Sequence, residues 1–123
     1  MKLSKAEEEL MNHIWELKKA FLKDLLVVYP EPKPATTTIA TLLKRITTKG
    51  FIDYQLFGKS REYYPLVSKK EYFSKHVNGL ILKFFNNSSS QFASFFTTET
   101  NLTETELKEL RKIIDEQIKK KKS

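Results

Sequence analysis

Apolar residues recur along this chain at two spacings, and the switch between them marks out the elements. Leu10, Met11, Ile14, Trp15 and Leu17 fall three and four apart, the period of a helix that buries one face and leaves Glu7, Glu8, Glu9 and Glu16 in water. Ser4 caps its start, Glu7 completes a capping box, and Leu3 staples onto the first turn. Residues 20–29 repeat the pattern with Phe21, Leu22, Leu25 and Leu26 and predict a second helix, which the run Pro30-Glu31-Pro32-Lys33-Pro34 ends. Ile39, Leu42, Leu43 and Ile46 then stand at i, i+3, i+4 and i+7, predicting a third helix over about residues 35–49 that stops at Gly50. From Phe51 the period falls to two. Residues 51–57 alternate around Asp53 and Gln55, Gly58-Lys59-Ser60 turns, and residues 61–64 return before Pro65, which predicts a hairpin with a basic tip.

Residues 68–85 open with a second capping box, Ser68 and Glu71, but their apolar positions run almost all the way round the helix. One small domain cannot bury both sides of such a helix, so part of this surface belongs against a partner. A polar break at residues 86–91 precedes a short Phe-rich segment. Leu102-Thr103-Glu104-Thr105-Glu106 then starts a last helix with Leu107, Leu110, Ile114 and Ile118 on one stripe. Five of the nine phenylalanines fall between Phe84 and Phe96, which marks this half as an oligomerisation module. The expected interface of a homodimer is Tyr72, Phe73, Val77, Leu80, Ile81, Phe84, Phe85, Phe92, Phe95, Phe96, Leu107, Leu110, Ile114 and Ile118.

Three helices followed at once by a hairpin is the element order of a winged helix-turn-helix, with the third helix as reader and the hairpin as wing. The expected fold is therefore mainly α with a small β wing: a winged helix-turn-helix DNA-binding domain over residues 1–67 and a helical dimerisation domain over 68–123. The outer face of the third helix carries Thr37, Thr38, Ala40 and Thr41, then Lys44, Arg45 and Thr48, and no acid. An ordinary solvated face mixes both charge signs. Threonine hydroxyls bond to base edges, and Thr or Ala methyls pack on the thymine methyl. Thr37, Thr38, Ala40 and Thr41 are thus the candidate base contacts, and Lys44, Arg45, Lys59 and Arg61 the candidate phosphate contacts.

Charge sharpens this reading. The chain of 123 residues holds 22 Lys and Arg against 15 Asp and Glu, a net charge of +7. The excess is local: residues 18–61 hold nine cations and three acids, whereas residues 1–17 hold two and four. With no cysteine there is no disulfide framework, thiolate zinc site or cysteine nucleophile, and a reducing, cytoplasmic setting is expected for what reads as a complete chain. No segment has the length and hydropathy of a membrane helix or the pattern of a signal peptide, so no membrane insertion is expected. Catalysis finds no support. His13 and His76 are far apart and in no metal-ligand spacing, and there is no phosphate loop or nucleophile elbow, so neither a metal nor a cofactor is expected. The alternative from another class is a protein-interaction adaptor that uses a winged fold without touching DNA.

The segments from Leu3-Ser4 to Trp15, Thr38-Ile39-Ala40-Thr41-Leu42-Leu43-Lys44-Arg45-Ile46 through Lys49-Gly50-Phe51-Ile52-Asp53, and Tyr63-Tyr64-Pro65-Leu66-Val67 resemble the BlaI/MecI/CopY (penicillinase-repressor) family of bacterial transcriptional repressors. Similarity continues through Asn101 to Arg111, whose family counterpart is an acidic, Leu-bearing dimerisation helix. The resemblance implies a homodimeric winged-helix repressor on a palindromic operator, released when a membrane sensor-protease of the BlaR/MecR type triggers its cleavage. The cleavage site of the lactamase branch, an Asn-Phe bond, corresponds to Phe95-Phe96 here, so the Asn is not retained. Pro34 and Ala40 replace the family's frequent Trp-Ser lead-in and long basic residue, and the copper branch's Cys-x-Cys pair has no counterpart.

Overall fold

The computed structural model describes residues 2–123. The elements run α1 (Lys5–Leu17), β1 (Ala20–Phe21), α2 (Leu22–Val28), α3 (Thr36–Thr48), β2 (Ile52–Phe57), β3 (Ser60–Pro65), α4 (Lys69–Phe84), α5 (Ser89–Glu99) and α6 (Glu104–Lys122). They form two compact units, the first ending at Ser74 and the second beginning at Lys75.

Local signals start the helices of the first unit. Ser4 Oγ accepts the Glu7 N–H at 3.2 Å while Glu7 Oε1 accepts the Ser4 N–H at 2.6 Å, the reciprocal capping box read from the sequence. Pro34 and Ala35 lead into α3, where Ala35 stands at the N-cap in extended conformation with no side-chain cap bond. The amphipathic stripes then meet: Leu10, Met11 and Ile14 of α1, Leu25 of α2, Ile39, Leu43 and Ile46 of α3 and Ile52 of β2 are fully buried. Each such side chain contributes roughly 1.5 to 3 kcal/mol relative to exposure, so this layer is what orients α3. Trp15 sits at the edge of the core, its Nε1–H donating to Val67 O at 2.8 Å, and so ties α1 to the chain leaving the hairpin.

The β-structure is a three-stranded antiparallel sheet in the order β1-β3-β2. The hairpin pairs Ile52 with Pro65 through to Phe57 with Ser60, and Gly58, at φ +63, supplies the left-handed residue of its turn. Its third strand corrects the expected second helix. Ala20 and Phe21 pair with Tyr63 and Glu62 on β3, and α2 starts only at Leu22. Asp24 Oδ2 accepts the Phe21 N–H at 2.9 Å at that junction.

Two further corrections concern single residues. Glu7, expected in water, is 2% exposed, because its second role is to receive the Lys49 ammonium from the far end of α3. Tyr72, expected in a dimer interface, turns inward within the first unit: its ring lies against Trp15 and Phe51, at centroid separations of 5.8 and 5.7 Å, and its hydroxyl donates to Glu8 Oε2 at 2.6 Å. Burial, reinforced by that carboxylate, pushes the Tyr72 phenol up to about 12. This packing also carries the first unit past residue 67, so the start of α4 belongs to it.

In the second unit, Asn86 and Asn87 both take left-handed backbone, which Asn tolerates, and Asn87 N–H donates to Ile81 O at 3.0 Å to close α4. Phe85 meets Phe92 and Phe95 at 5.5 and 5.4 Å, and Phe92 stacks on Phe96 at 6.1 Å. Thr103 and Glu106 form the capping box of α6. Neither α5 nor α6 has a fully buried residue, and large apolar side chains stay open to solvent, Phe84 at 68% exposure and Ile114 at 57%.

Candidate nucleic-acid interface

The core fixes which face of α3 is left outside. With Ile39, Leu42, Leu43 and Ile46 turned inward, the helical period places Thr37, Thr38, Ala40, Thr41, Lys44, Arg45 and Thr48 in solvent, and all seven are exposed. Thr41 Oγ1 donates to Thr37 O at 2.9 Å and Thr48 Oγ1 to Lys44 O at 2.9 Å. Each hydroxyl hydrogen is therefore committed to the helix. What Thr41 offers outward is an oxygen lone pair and a methyl group, a surface suited to an amino donor or a thymine methyl.

The wing brings the second set of cations. Lys59 lies in the β2–β3 turn, and Arg61 stands next to it on β3 with its guanidinium over the Tyr54 ring, 4.4 Å from the centroid. That stacking presets the direction of the guanidinium at an exposed position. Among the described residues neither cation forms a salt bridge, and the same holds for Lys44 and Arg45. A row of unneutralised cations flanking a hydroxyl-rich, acid-free helix face is chemically matched to a phosphate backbone.

Two further basic residues bear on this surface. Lys49, the C-cap of α3, is withdrawn by its 2.6 Å contact to Glu7 Oε1 and a 3.0 Å bond to Lys2 O. Burial opposes charge on Glu7, but the Lys49 ammonium and the Ser4 N–H outweigh it, and its pKa lies below the ordinary carboxylate value. Lys23, not singled out in the sequence, lines the same cleft as Lys59 and Arg61. It was hidden by reading residues 20–29 as one continuous helix.

The other expected sites lie in the second unit or at its edge. Phe84, Phe95 and Ile114 are at least half exposed, Phe73, Val77, Leu80, Phe96, Leu107 and Ile118 are exposed to a lesser degree, and Ile81, Phe85, Phe92 and Leu110 are partly covered. Phe95 and Phe96 fall inside α5. Among the described residues no helix is long and apolar enough to cross a membrane, and no three His, Asp or Glu side chains group as metal ligands.

Comparison with known proteins agrees with this geometry. The methicillin resistance regulatory protein MecI of Staphylococcus aureus (strain N315) is 32% identical over 114 residues, covering 92% of this chain and 93% of its own. The penicillinase repressor of Bacillus licheniformis is 27% identical over 123 residues, covering 98% of this chain and 94% of its own. The solution structure of the DNA-binding domain of the repressor BlaI superposes with a TM-score of 0.52 at 25% identity, over 58% of this chain and 88% of that one. The first of these is named a regulatory protein and the other two repressors. Residues 3–116 match the penicillinase repressor family, and the chain belongs to that family of winged-helix repressors.

Proposed function

We propose that this repressor binds a palindromic DNA operator as a homodimer. The observation that carries the reading is the exposed, acid-free face of α3. In this reading Thr37, Thr38, Ala40 and Thr41 meet base edges in the major groove while Lys44, Arg45, Lys59 and Arg61 hold phosphates. The phosphate contacts supply sequence-independent affinity and the threonine face supplies selection. Dimerisation is supported by the apolar surface that the second unit leaves in water, including Phe84, Phe95 and Ile114. Two copies related by a twofold axis then present two α3 helices to two half-sites.

Release by proteolysis is the finer part of the reading. A protease needs an extended segment, and α5 has no fully buried residue, so it opens at low cost. A cut at Phe95–Phe96, made under the control of a membrane sensor-protease, separates α6 from the rest and weakens bivalent binding without touching α3.

Selection of bound fragments from a random DNA pool by the purified protein tests the function. An enriched palindrome with half-sites one helical turn apart, about 10 base pairs, or a multiple of it, is the expected result. Recovery of no preferred sequence would remove the repressor-operator reading and favour an adaptor.

A further inference from the structure

Between α2, α3 and the wing lies a cleft of about 590 Å³, within the size range of small-molecule sites. Its floor is apolar, made by Leu22, Leu26, Ala40, Leu43 and the rings of Phe21 and Phe57, which meet edge to face at 6.0 Å. Ala40 matters by what it lacks, since its single methyl on the exposed side of α3 leaves the cleft open. The rim is cationic: Lys23, Lys59 and Arg61 line it, and no carboxylate does. None of the three forms a salt bridge among the described residues. Lys23 Nζ sits 5.8 Å from the ring centroid of Phe21, itself part of the apolar lining, so this charge borders the apolar surface. Arg61 lines the cleft while its guanidinium stacks on Tyr54, which lies outside the lining.

A phosphate backbone satisfies the rim but not the floor, which has aromatic edges where a phosphate needs donors. A wholly apolar ligand satisfies the floor and leaves three cations unanswered. From this charge and shape complementarity we infer that the cleft binds a small aromatic carboxylate, its ring on Phe21 and Phe57 and its carboxylate on the Lys23, Lys59 and Arg61 rim. The consequence for regulation rests on the proposed function: Lys59 and Arg61 are the wing's phosphate contacts, so carboxylate and DNA compete for the same two side chains. Occupancy by either lowers the affinity for the other by an equal factor.

Calorimetric titration of the full-length protein with 1-naphthoate, and with the uncharged 1-naphthalenemethanol, tests the site. Saturable binding of one 1-naphthoate per chain is expected, with the neutral twin weaker by about tenfold or more, a difference the charge-assisted contacts to the rim supply. Ala40→Phe fills the floor from an exposed helix position and should abolish binding. Lys23→Gln, also at the surface, should weaken it severalfold. Absence of saturable binding, equal affinity for the neutral twin, or full binding by Ala40→Phe would each overturn the site, the last by moving the ligand to apolar surface elsewhere. None of these titrations contains DNA, so they stand whether or not the DNA reading does. In a separate assay, saturating 1-naphthoate should weaken DNA binding by the wild type and not by Ala40→Phe measured against its own unliganded baseline. An unchanged DNA affinity with the ligand bound would overturn the competition.

Discussion

Glu7 and Lys49, 42 positions apart, join the start of α1 to the end of α3 through a 2.6 Å contact between Oε1 and Nζ. The same Glu7 oxygen accepts the Ser4 N–H, so one carboxylate caps α1 and anchors the C-terminal end of α3. Lys49→Met leaves Glu7 buried without its counter-ion and should cost about 2 to 3 kcal/mol, less than a fully enclosed pair because the Lys49 side chain retains 26% exposure. Urea unfolding followed by far-UV circular dichroism reads the loss.

The same pair sets a pH dependence. The pKa of Glu7 is lower in the folded protein than its ordinary value of 4.5, so its stabilisation is complete above that value and disappears as pH falls through the lower, folded one. Wild type should therefore lose stability below about pH 4.5 partly through Glu7, and Glu7→Gln should be less stable at neutral pH with a shallower acid limb. Parallel acid limbs in the two proteins would show that Glu7 carries no such linkage.

Lys59→Ala and Arg61→Ala should weaken operator and random DNA nearly alike and reduce the slope of log affinity against log salt by about one each. Fluorescence anisotropy across a salt series measures both quantities. Lys49→Ala, by contrast, should leave the salt slope unchanged, because its ammonium is spent on Glu7.

What was legible in the sequence is what is local. The capping boxes Ser4/Glu7, Ser68/Glu71 and Thr103/Glu106 span three residues each and form as read. The 3.6-residue period of Ile39, Leu42, Leu43 and Ile46 fixed both the extent of α3 and its outward face. What escaped depends on distant partners. Two residues, Ala20 and Phe21, have no measurable period, and they become a strand only because β3 arrives beside them. Glu7 looks like its neighbours Glu8 and Glu9 until α3 delivers Lys49. Tyr72 shares the helical spacing of the apolar positions after it, but Trp15 and Phe51 claim it for the first unit. The Thr41 back-bond is local yet carries no sequence signature that separates it from a free hydroxyl.

Dimerisation through the second unit predicts that Leu80→Asp dissociates the protein or unfolds that unit while the winged unit keeps its fold. Truncation after Phe95 removes the Leu107, Leu110, Ile114 and Ile118 stripe and should give a largely monomeric chain that binds a full operator far more weakly. Light scattering at micromolar concentration decides the first point, and operator titration of the truncated protein the second. A truncated chain that dimerises and binds like the intact one would exclude cleavage at Phe95–Phe96 as the release step.

The most direct measurement of the central claim is a matched titration of Thr41→Val on the selected operator and on random DNA. The substitution removes Oγ1 and keeps the shape, and the lost bond to Thr37 O lies on an exposed helix face, so folding is little affected. If α3 reads sequence, affinity for the operator falls by about 1 to 3 kcal/mol while affinity for random DNA barely changes. Equal losses on the two DNAs, or no loss on either, would contradict the assignment of α3 as the reading helix.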